Sequence, residues 1–334
     1  MKAIKTKSGK WRCQACYPLP NGKYARPSFT ADTKREAEYM AMQFLMEHKE
    51  KLAHKTVADA VDAFIENRSS VLSPSTIRGY RTIQNNTIAP IKDYDVADID
   101  SEVIQRFVND LSMKYSSKTV RNTYSLVISS IKAVNPNFSV NVRLPQKKVE
   151  NRHIPTDEDV KLLLSEADEY VRKAILLAAM GTLRRGEVCA LCYEDIQGNK
   201  IHVHSDMVCT ENNEWVIKAI PKTSSSDRFI DFSDEVIREL GTGTGRIIPI
   251  TPNALGSRFR NLCKRLGMNY RFHDLRHYAA SIMHAIGIPD QYIMERGGWK
   301  SDNILKSVYR NVLDDKQNEF NCKTNEYLNK LICE

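Results

Sequence analysis

No run of apolar residues in this 334-residue sequence approaches the roughly 18 that a helix needs to cross a bilayer. Behind the opening Met-Lys-Ala-Ile-Lys there is no apolar stretch, so a secretory signal is not expected, nor any membrane partner. Internal repeats and low-complexity tracts are also missing, which excludes solenoids and disordered arrays. The eight cysteines lack a metal-ligand arrangement. Cys13 and Cys16 sit in an alternating stretch that sends them to opposite strand faces, and Cys189 and Cys192 lie in an apolar helical run where thiols act as small hydrophobes. His202 and His204 alternate on one strand face with no further ligand near. The expectation is a soluble cytoplasmic chain with neither disulfides nor zinc.

What is present is enough apolar material, 42% of residues, to build several cores, and a length that exceeds one comfortable domain. The formal net charge is +8, and residues 1–55 hold twelve Lys and Arg against five Asp and Glu. Nearly all the excess charge is therefore in one short segment, which suggests a basic module for an anionic polymer; a solvated lysine-rich surface is the alternative. Lys10, Arg12, Lys23 and Arg26 are its candidate DNA contacts.

The periodicity divides the chain. Lys10 to Pro18 alternates, Pro20 to Lys23 signals a turn, Tyr24 to Phe29 extends again, and a helix with Ala37, Met40, Ala41, Phe44 and Leu45 begins at Thr33. From Thr56 the pattern is helical: Thr56 and Ser73-Pro74 read as helix starts, and two more helices follow near 101–111 and 116–134. The basic first turns of the last, with Lys118 and Arg121, could lie on a phosphate backbone; solvated helix charges are the alternative. Residues 141–152 read as a linker. Thr156 to Asp159 is a capping-box signature that opens a third, mixed region, with strands predicted over 200–208, 215–220 and 228–232, a turn at Asn212-Asn213, and helices ended by Gly267, Gly287 and Gly297-Gly298.

The chemistry lies in this third region. Arg184, in Arg-Arg-Gly-Glu, falls between two helices, where a planar guanidinium can grip two phosphate oxygens. His273 and Arg276 lie three apart on one helix face, and adjacent His277 is expected to face elsewhere. Lys222 opens a polar loop between strands, Trp299 offers an indole N–H beside a Gly-Gly turn, and Tyr309 follows ten residues on. Each is ordinary alone.

Their order and spacing resemble the tyrosine recombinase family, particularly the integrases of phages and integrative elements, over essentially the whole chain. Two departures stand out: Trp299 occupies a place often filled by histidine, and Gly181-Thr182 inverts the usual Thr-Gly. The resemblance implies a multidomain, mainly α architecture with small sheets: an arm-site-binding domain of three strands and a helix (1–55), a four-helix core-binding domain (56–140), the linker (141–152), and a mixed α+β catalytic domain (153–334) with a C-terminal tail helix. It implies DNA cleavage by Tyr309 through a 3′-phosphotyrosyl link. Arg184, Arg276, His273 and Trp299 would hold the phosphate and Lys222 would protonate the leaving 5′-oxygen, with no metal or cofactor. Expected partners are double-stranded DNA at core and arm sites, further protomers in a tetramer, and an accessory excision or host DNA-bending factor, at the bacterial nucleoid. The alternatives are a type IB topoisomerase-like relaxase and a catalytically silent DNA-binding regulator.

Overall fold

The computed structural model describes residues 2–18, 24–53, 55–147, 153–220 and 225–301, together with Asn325, and of Pro18 and residues 47–53 only the backbone. Lys23, Lys222, Tyr309 and the expected tail helix lie outside the described residues. Contacts divide the chain into two units, Met1–Val149 and Glu150–Glu334.

The first unit contains two separate apolar cores. In one, strands β1 (Ile4–Lys5), β2 (Trp11–Gln14) and β5 (Ser28–Ala31) form an antiparallel sheet in the order β1-β2-β5, while β3 (Tyr17–Pro18) and β4 (Tyr24–Ala25) make a separate hairpin. Cross-strand register explains the packing: Trp11 pairs with Ala31 and Cys13 with Phe29, whereas Arg12 pairs with Thr30 and Gln14 with Ser28. The first set packs with Ala37, Ala41, Phe44 and Leu45 of helix α1 (Lys34–Ala53), and the second faces solvent. Cys13 is buried and Cys16 exposed, as the alternation requires. The alternating stretch is two strands rather than one, and β1 adds an edge that its two residues could not signal.

The other core belongs to four helices, α2 (Val57–Glu66), α3 (Pro74–Asn86), α4 (Ser101–Lys114) and α5 (Ser117–Val134). Thr56 closes a capping box with Asp59, while Asp100 and Ser116 accept from the first-turn amides of α4 and α5. These caps satisfy amides the helix itself cannot, each contributing about 1 kcal/mol. Val57, Val61, Ile65, Ile104, Phe107, Val120 and Ile131 are among the residues that fill the interior. The stretch after α5 is tied to this domain: Gln105 donates to the Arg143 carbonyl and accepts from its amide, Asn141 N–H donates to Ser101, and Arg121 Nε donates to the Pro145 carbonyl at 3.0 Å.

The second unit opens on α6 (Asp157–Glu166), whose Thr156–Asp159 capping box is the one expected, followed by α7 (Glu169–Gly181) and the short α8 (Arg185–Ala190). Strands β6 (Ile196–Gln197), β7 (Lys200–Val203) and β10 (Arg228–Asp231) form a sheet in the order β10-β7-β6; β8 (Ser205–Cys209) and β9 (Trp215–Ala219) form a second. The predicted strand over 200–208 is therefore divided at His204, because its two halves pair with different partners. Likewise α8 ends at Ala190, before Cys192. Asn213 takes a left-handed turn conformation, φ 63°. Helices α9 (Asp234–Leu240), α10 (Pro252–Arg265), α11 (Phe272–Ala285) and α12 (Asp290–Gly297) complete the unit, with left-handed Gly267, Gly287 and Gly298 at the ends of the last three. Buried α7, with Ala174, Ile175, Leu177 and Ala178, runs through the main core and packs on α11.

The inverted Gly181-Thr182 has a steric cause. A Cβ on Gly181 would lie 2.1 Å from the Phe232 ring, so the helix end must be glycine. Thr182 then takes the left-handed position, φ 61°, fully buried, where a β-branched residue costs about 1–3 kcal/mol. Gly181→Ala is expected to destabilise this unit by about 1–3 kcal/mol through overpacking, read as a lowered melting temperature; an unchanged one would show that Phe232 yields freely.

Candidate active site

Three chain junctions converge on one site. Arg184 is the N-cap of α8, immediately after the turn that ends α7; Arg276 projects from the second turn of α11; Trp299 follows the glycine pair that ends α12. Helix termini suit this purpose because they place a side chain at a fixed point while leaving free backbone groups to hold it.

Arg276 is the most constrained residue. Its side chain is 1% exposed, donates to the carbonyls of Thr182 and Gly297, and lies with its guanidinium 3.9 Å from the Trp299 ring centroid. The left-handed turn at Thr182 is what presents that carbonyl, so the backbone strain serves to orient the arginine. Arg276 Nε is buried without a hydrogen-bond partner among the described residues. A buried donor of this kind costs about 1–3 kcal/mol. Burial first, then the charges of Arg184 and Arg228, push the Arg276 pKa down to about 8 against the pull of Glu187, still protonated at neutral pH. Trp299 thus has a role the sequence did not suggest, as an aromatic face under an arginine, a contact that stabilises by about 0.5–2 kcal/mol. Gly297 must lack a Cβ because one would meet the Trp299 ring at 1.9 Å.

Arg184 is half-buried and donates to Glu187 Oε1 at 2.5 Å, to the Gly298 carbonyl at 2.9 Å and to Ser226 Oγ at 3.4 Å. Glu187 is 2% exposed and accepts from Arg228 as well, Nη2 to Oε2 at 3.0 Å. Burial raises the Glu187 pKa, but the Arg228 charge and hydrogen bonds, then those of Arg184, overcome it and leave it lowered. Arg228 was read from sequence only as a strand residue. Asp206, on β8, is raised to about 6 by burial and by Glu187. The cluster therefore carries three guanidinium groups against two carboxylates, Glu187 and an Asp206 that a pKa of about 6 leaves mostly ionised at neutral pH, a net positive field suited to a phosphodiester.

His273 stands at the start of α11 with its ring open to solvent on one side. Desolvation first, then the charges of His277 and Arg276, lower its pKa to about 4, against the pull of Asp274. His277 does not face elsewhere: four residues on, its ring meets that of His273 edge-on, centroids 4.8 Å apart, as helical spacing permits. A neutral His273 can accept a proton as well as donate one. Because the folded state binds the His273 proton less readily than the unfolded chain does, stability should fall as pH drops from about 6.5 towards 4. In NMR titration the His273 resonances should stay constant above pH 6; a midpoint near the ordinary histidine value would refute this.

His202 and His204 have partners the sequence did not reveal: their Nε2 atoms lie 2.8 Å from Asp227 and Asp195. Ile220 N–H donates to the His204 carbonyl. Both flanks of the segment containing Lys222 are therefore tied to the β7–β8 junction. Among the described residues no group of three or more His, Cys, Asp or Glu could hold a metal ion. Of the proposed DNA contacts, Lys10 pairs with Asp32, Arg12 donates to Ser28, Arg26 and Lys118 are exposed, and Arg121 is engaged by Pro145.

A four-helix domain, a mixed domain, and two arginines and a histidine gathered from helix ends define the class of the tyrosine recombinases. The pattern of the phage integrase family matches residues 155–316, and that of the phage integrase N-terminal SAM-like domain matches residues 56–112. The chain is 23% identical to a probable integrase of prophage ps2 from Lactococcus lactis, over 89% of this chain and 95% of that one. It is 25% identical to a XerC-like tyrosine recombinase of Caldanaerobacter subterraneus, over 88% and 90%. Its fold is similar to that of the Tn1549 transposon integrase in complex with transposon right end DNA, TM-score 0.66 at 15% identity, over 79% of this chain and 99% of that one. It is also similar to lambda integrase in a tetramer bound to a Holliday junction, TM-score 0.59 at 19% identity, over 90% and 96%. The chain belongs to the phage integrase family of tyrosine recombinases. No helix of the described residues is long and apolar enough to cross a membrane.

Proposed function

We propose that this protein is a site-specific DNA recombinase that integrates and excises a mobile element. The observation that carries the reading is the gathering of Arg276, Arg184 and His273, near enough that the charges of both arginines act on the histidine. The Tyr309 oxygen attacks the scissile phosphorus as the bond to the 5′-oxygen breaks, and Lys222 delivers a proton to that oxygen. The tyrosine proton passes to neutral His273, while Arg184 and Arg276 hold the non-bridging oxygens and their growing charge. Rejoining is the reverse attack by a 5′-hydroxyl, so the bond energy stays in the protein–DNA ester and no energy-rich cofactor is consumed. The roles of Lys222 and Tyr309 rest on their places in the sequence pattern.

The test is a nicked duplex spanning the junction of the protein's own element, from which the short 5′-hydroxyl fragment diffuses away after cleavage. A covalent adduct mapping to Tyr309 is the expected product; hydrolysed ends without adduct would overturn the reading.

The division into an arm-binding module (1–55), core-binding domain (56–140), linker (141–152) and catalytic domain (153–334) belongs to this proposal, as does a tetramer on two duplexes with an accessory bending or excision factor. The exposed Arg12 face of the first sheet supports the arm module. Replacing Arg12 and Arg26 by alanine should leave cleavage of a short core duplex unchanged and weaken binding to long attachment DNA, with a shallower salt dependence. Equal binding to both would refute the arm role.

A further inference from the structure

Resting on the recombinase reading above, we propose that Arg228 is a positioning residue for strand cleavage, one that shares the Glu187 carboxylate so that Arg184 remains free to act on the phosphate. Glu187 is fully enclosed and both of its oxygens are used twice. Oε1 accepts from Arg184 Nη1 at 2.5 Å and Arg228 Nη1 at 3.3 Å; Oε2 accepts from the Arg184 backbone amide at 2.8 Å and Arg228 Nη2 at 3.0 Å. Arg228 therefore grips the carboxylate with two nitrogens, and the Arg184 side chain with one. A guanidinium and a carboxylate left to themselves favour the two-pronged pair. Without Arg228, the vacated prong of Glu187 is open to Arg184, which would turn from the site and have its charge cancelled.

Arg228 is itself held from outside the site. Its Nε donates to the Arg296 carbonyl at 2.7 Å and Nη1 to the Ser226 carbonyl at 2.9 Å, and the side chain is 4% exposed. It reaches Glu187 from β10, while Arg184 and Glu187 stand on α8, so the orientation of one catalytic arginine is set by a strand 44 residues later in the sequence. Ser226, held through its carbonyl by Arg228, also receives Arg184 Nη1 on its hydroxyl at 3.4 Å, and follows Lys222 by four residues. A Cβ on left-handed Gly298 would lie 2.8 Å from the Ser225 carbonyl oxygen, so the segment leading into Arg228 is packed directly against the turn that precedes Trp299.

The bland alternative is that Arg228 is a staple, fastening β10 to α12 and nothing more. A substrate of different charge separates the two. A methylphosphonate at the scissile position has a methyl group in place of one charged oxygen, so its cleavage depends less on a correctly placed arginine. Arg228→Met is compared with the unsubstituted chain on phosphodiester and methylphosphonate forms of the same nicked duplex, with free 5′-hydroxyl strand as readout and Arg184→Ala as the control. The expected result is a loss of about 10²-fold on the phosphodiester that shrinks to within about tenfold on the methylphosphonate, in parallel with Arg184→Ala. Arg228→Lys, which keeps the charge but not the fork, should show the same selectivity, and it takes over the test if the methionine variant does not fold. Equal losses on both substrates, with Arg184→Ala remaining selective, would reduce Arg228 to a staple and overturn the inference. A control without selectivity would instead overturn the reading of Arg184 as the group that neutralises the phosphate, and the inference with it.

Discussion

Tyr309→Phe is expected to abolish covalent protein–DNA adducts while leaving DNA affinity within a few-fold of the unsubstituted chain. The substitution removes only the phenolic hydroxyl, whose oxygen forms the bond to phosphorus in the proposed mechanism. A free phenol has a pKa of about 10 and is a weak nucleophile at neutral pH. In the proposed mechanism Arg184 and Arg276 would favour the phenolate and the charge that grows on the phosphate, and His273, whose pKa is lowered by desolvation and by neighbouring cations, would take the proton in its neutral form. Binding relies on phosphate contacts spread over many residues, so it survives the change. The measurement is a denaturing gel of the nicked-substrate reaction beside a mobility-shift titration. An adduct in the phenylalanine variant would move the nucleophile to another residue.

Arg276→Lys carries the second largest effect, a loss of about 10²–10³ in cleavage rate, the usual consequence of removing one preorganised donor from a site of developing charge. Lysine would keep the charge and most of the length. It would lose the plane: the guanidinium simultaneously meets the Thr182 carbonyl, the Gly297 carbonyl and the Trp299 face. A compact ammonium cannot reach three such partners. The predicted loss lies in kcat on the nicked duplex with little change in DNA affinity. Cleavage within tenfold of the original would mean that charge alone suffices at this position.

Spacing made Arg184, His273 and Arg276 legible, because helical geometry converts a three-residue interval into a shared face and a helix junction into a site. The same logic located Thr56, Thr156, Asn213 and the three helix-ending glycines. Arg228 escaped because its meaning depends on Glu187, a long-range partner that a strand-initial arginine does not announce. His202 and His204 escaped likewise, since their aspartates arrive from other segments. The stretch over 200–208 was read as one strand because alternation reports side-chain direction and carries no information about which neighbour pairs with which half. His277 was misplaced by comparing it with Arg276, its sequence neighbour, rather than with His273 one helical turn back. The stacking of Trp299 on Arg276 depends on the turn at Gly297 and Gly298, which only the folded backbone supplies.

The Gly181-Thr182 turn also constrains how this sequence can change over generations. Exchanging the two residues would give Thr-Gly, yet the exchange cannot pass through Thr-Thr, because a side chain at 181 would enter the space of the Phe232 ring. It can pass through Gly-Gly, which relieves the left-handed threonine but forfeits its hydroxyl contact with the Arg296 carbonyl. Even then the final step needs a smaller residue at 232. Positions 181, 182 and 232 are thus expected to change together or not at all, and a lineage that has settled on this arrangement is held there by the history of its packing as much as by the reaction it performs.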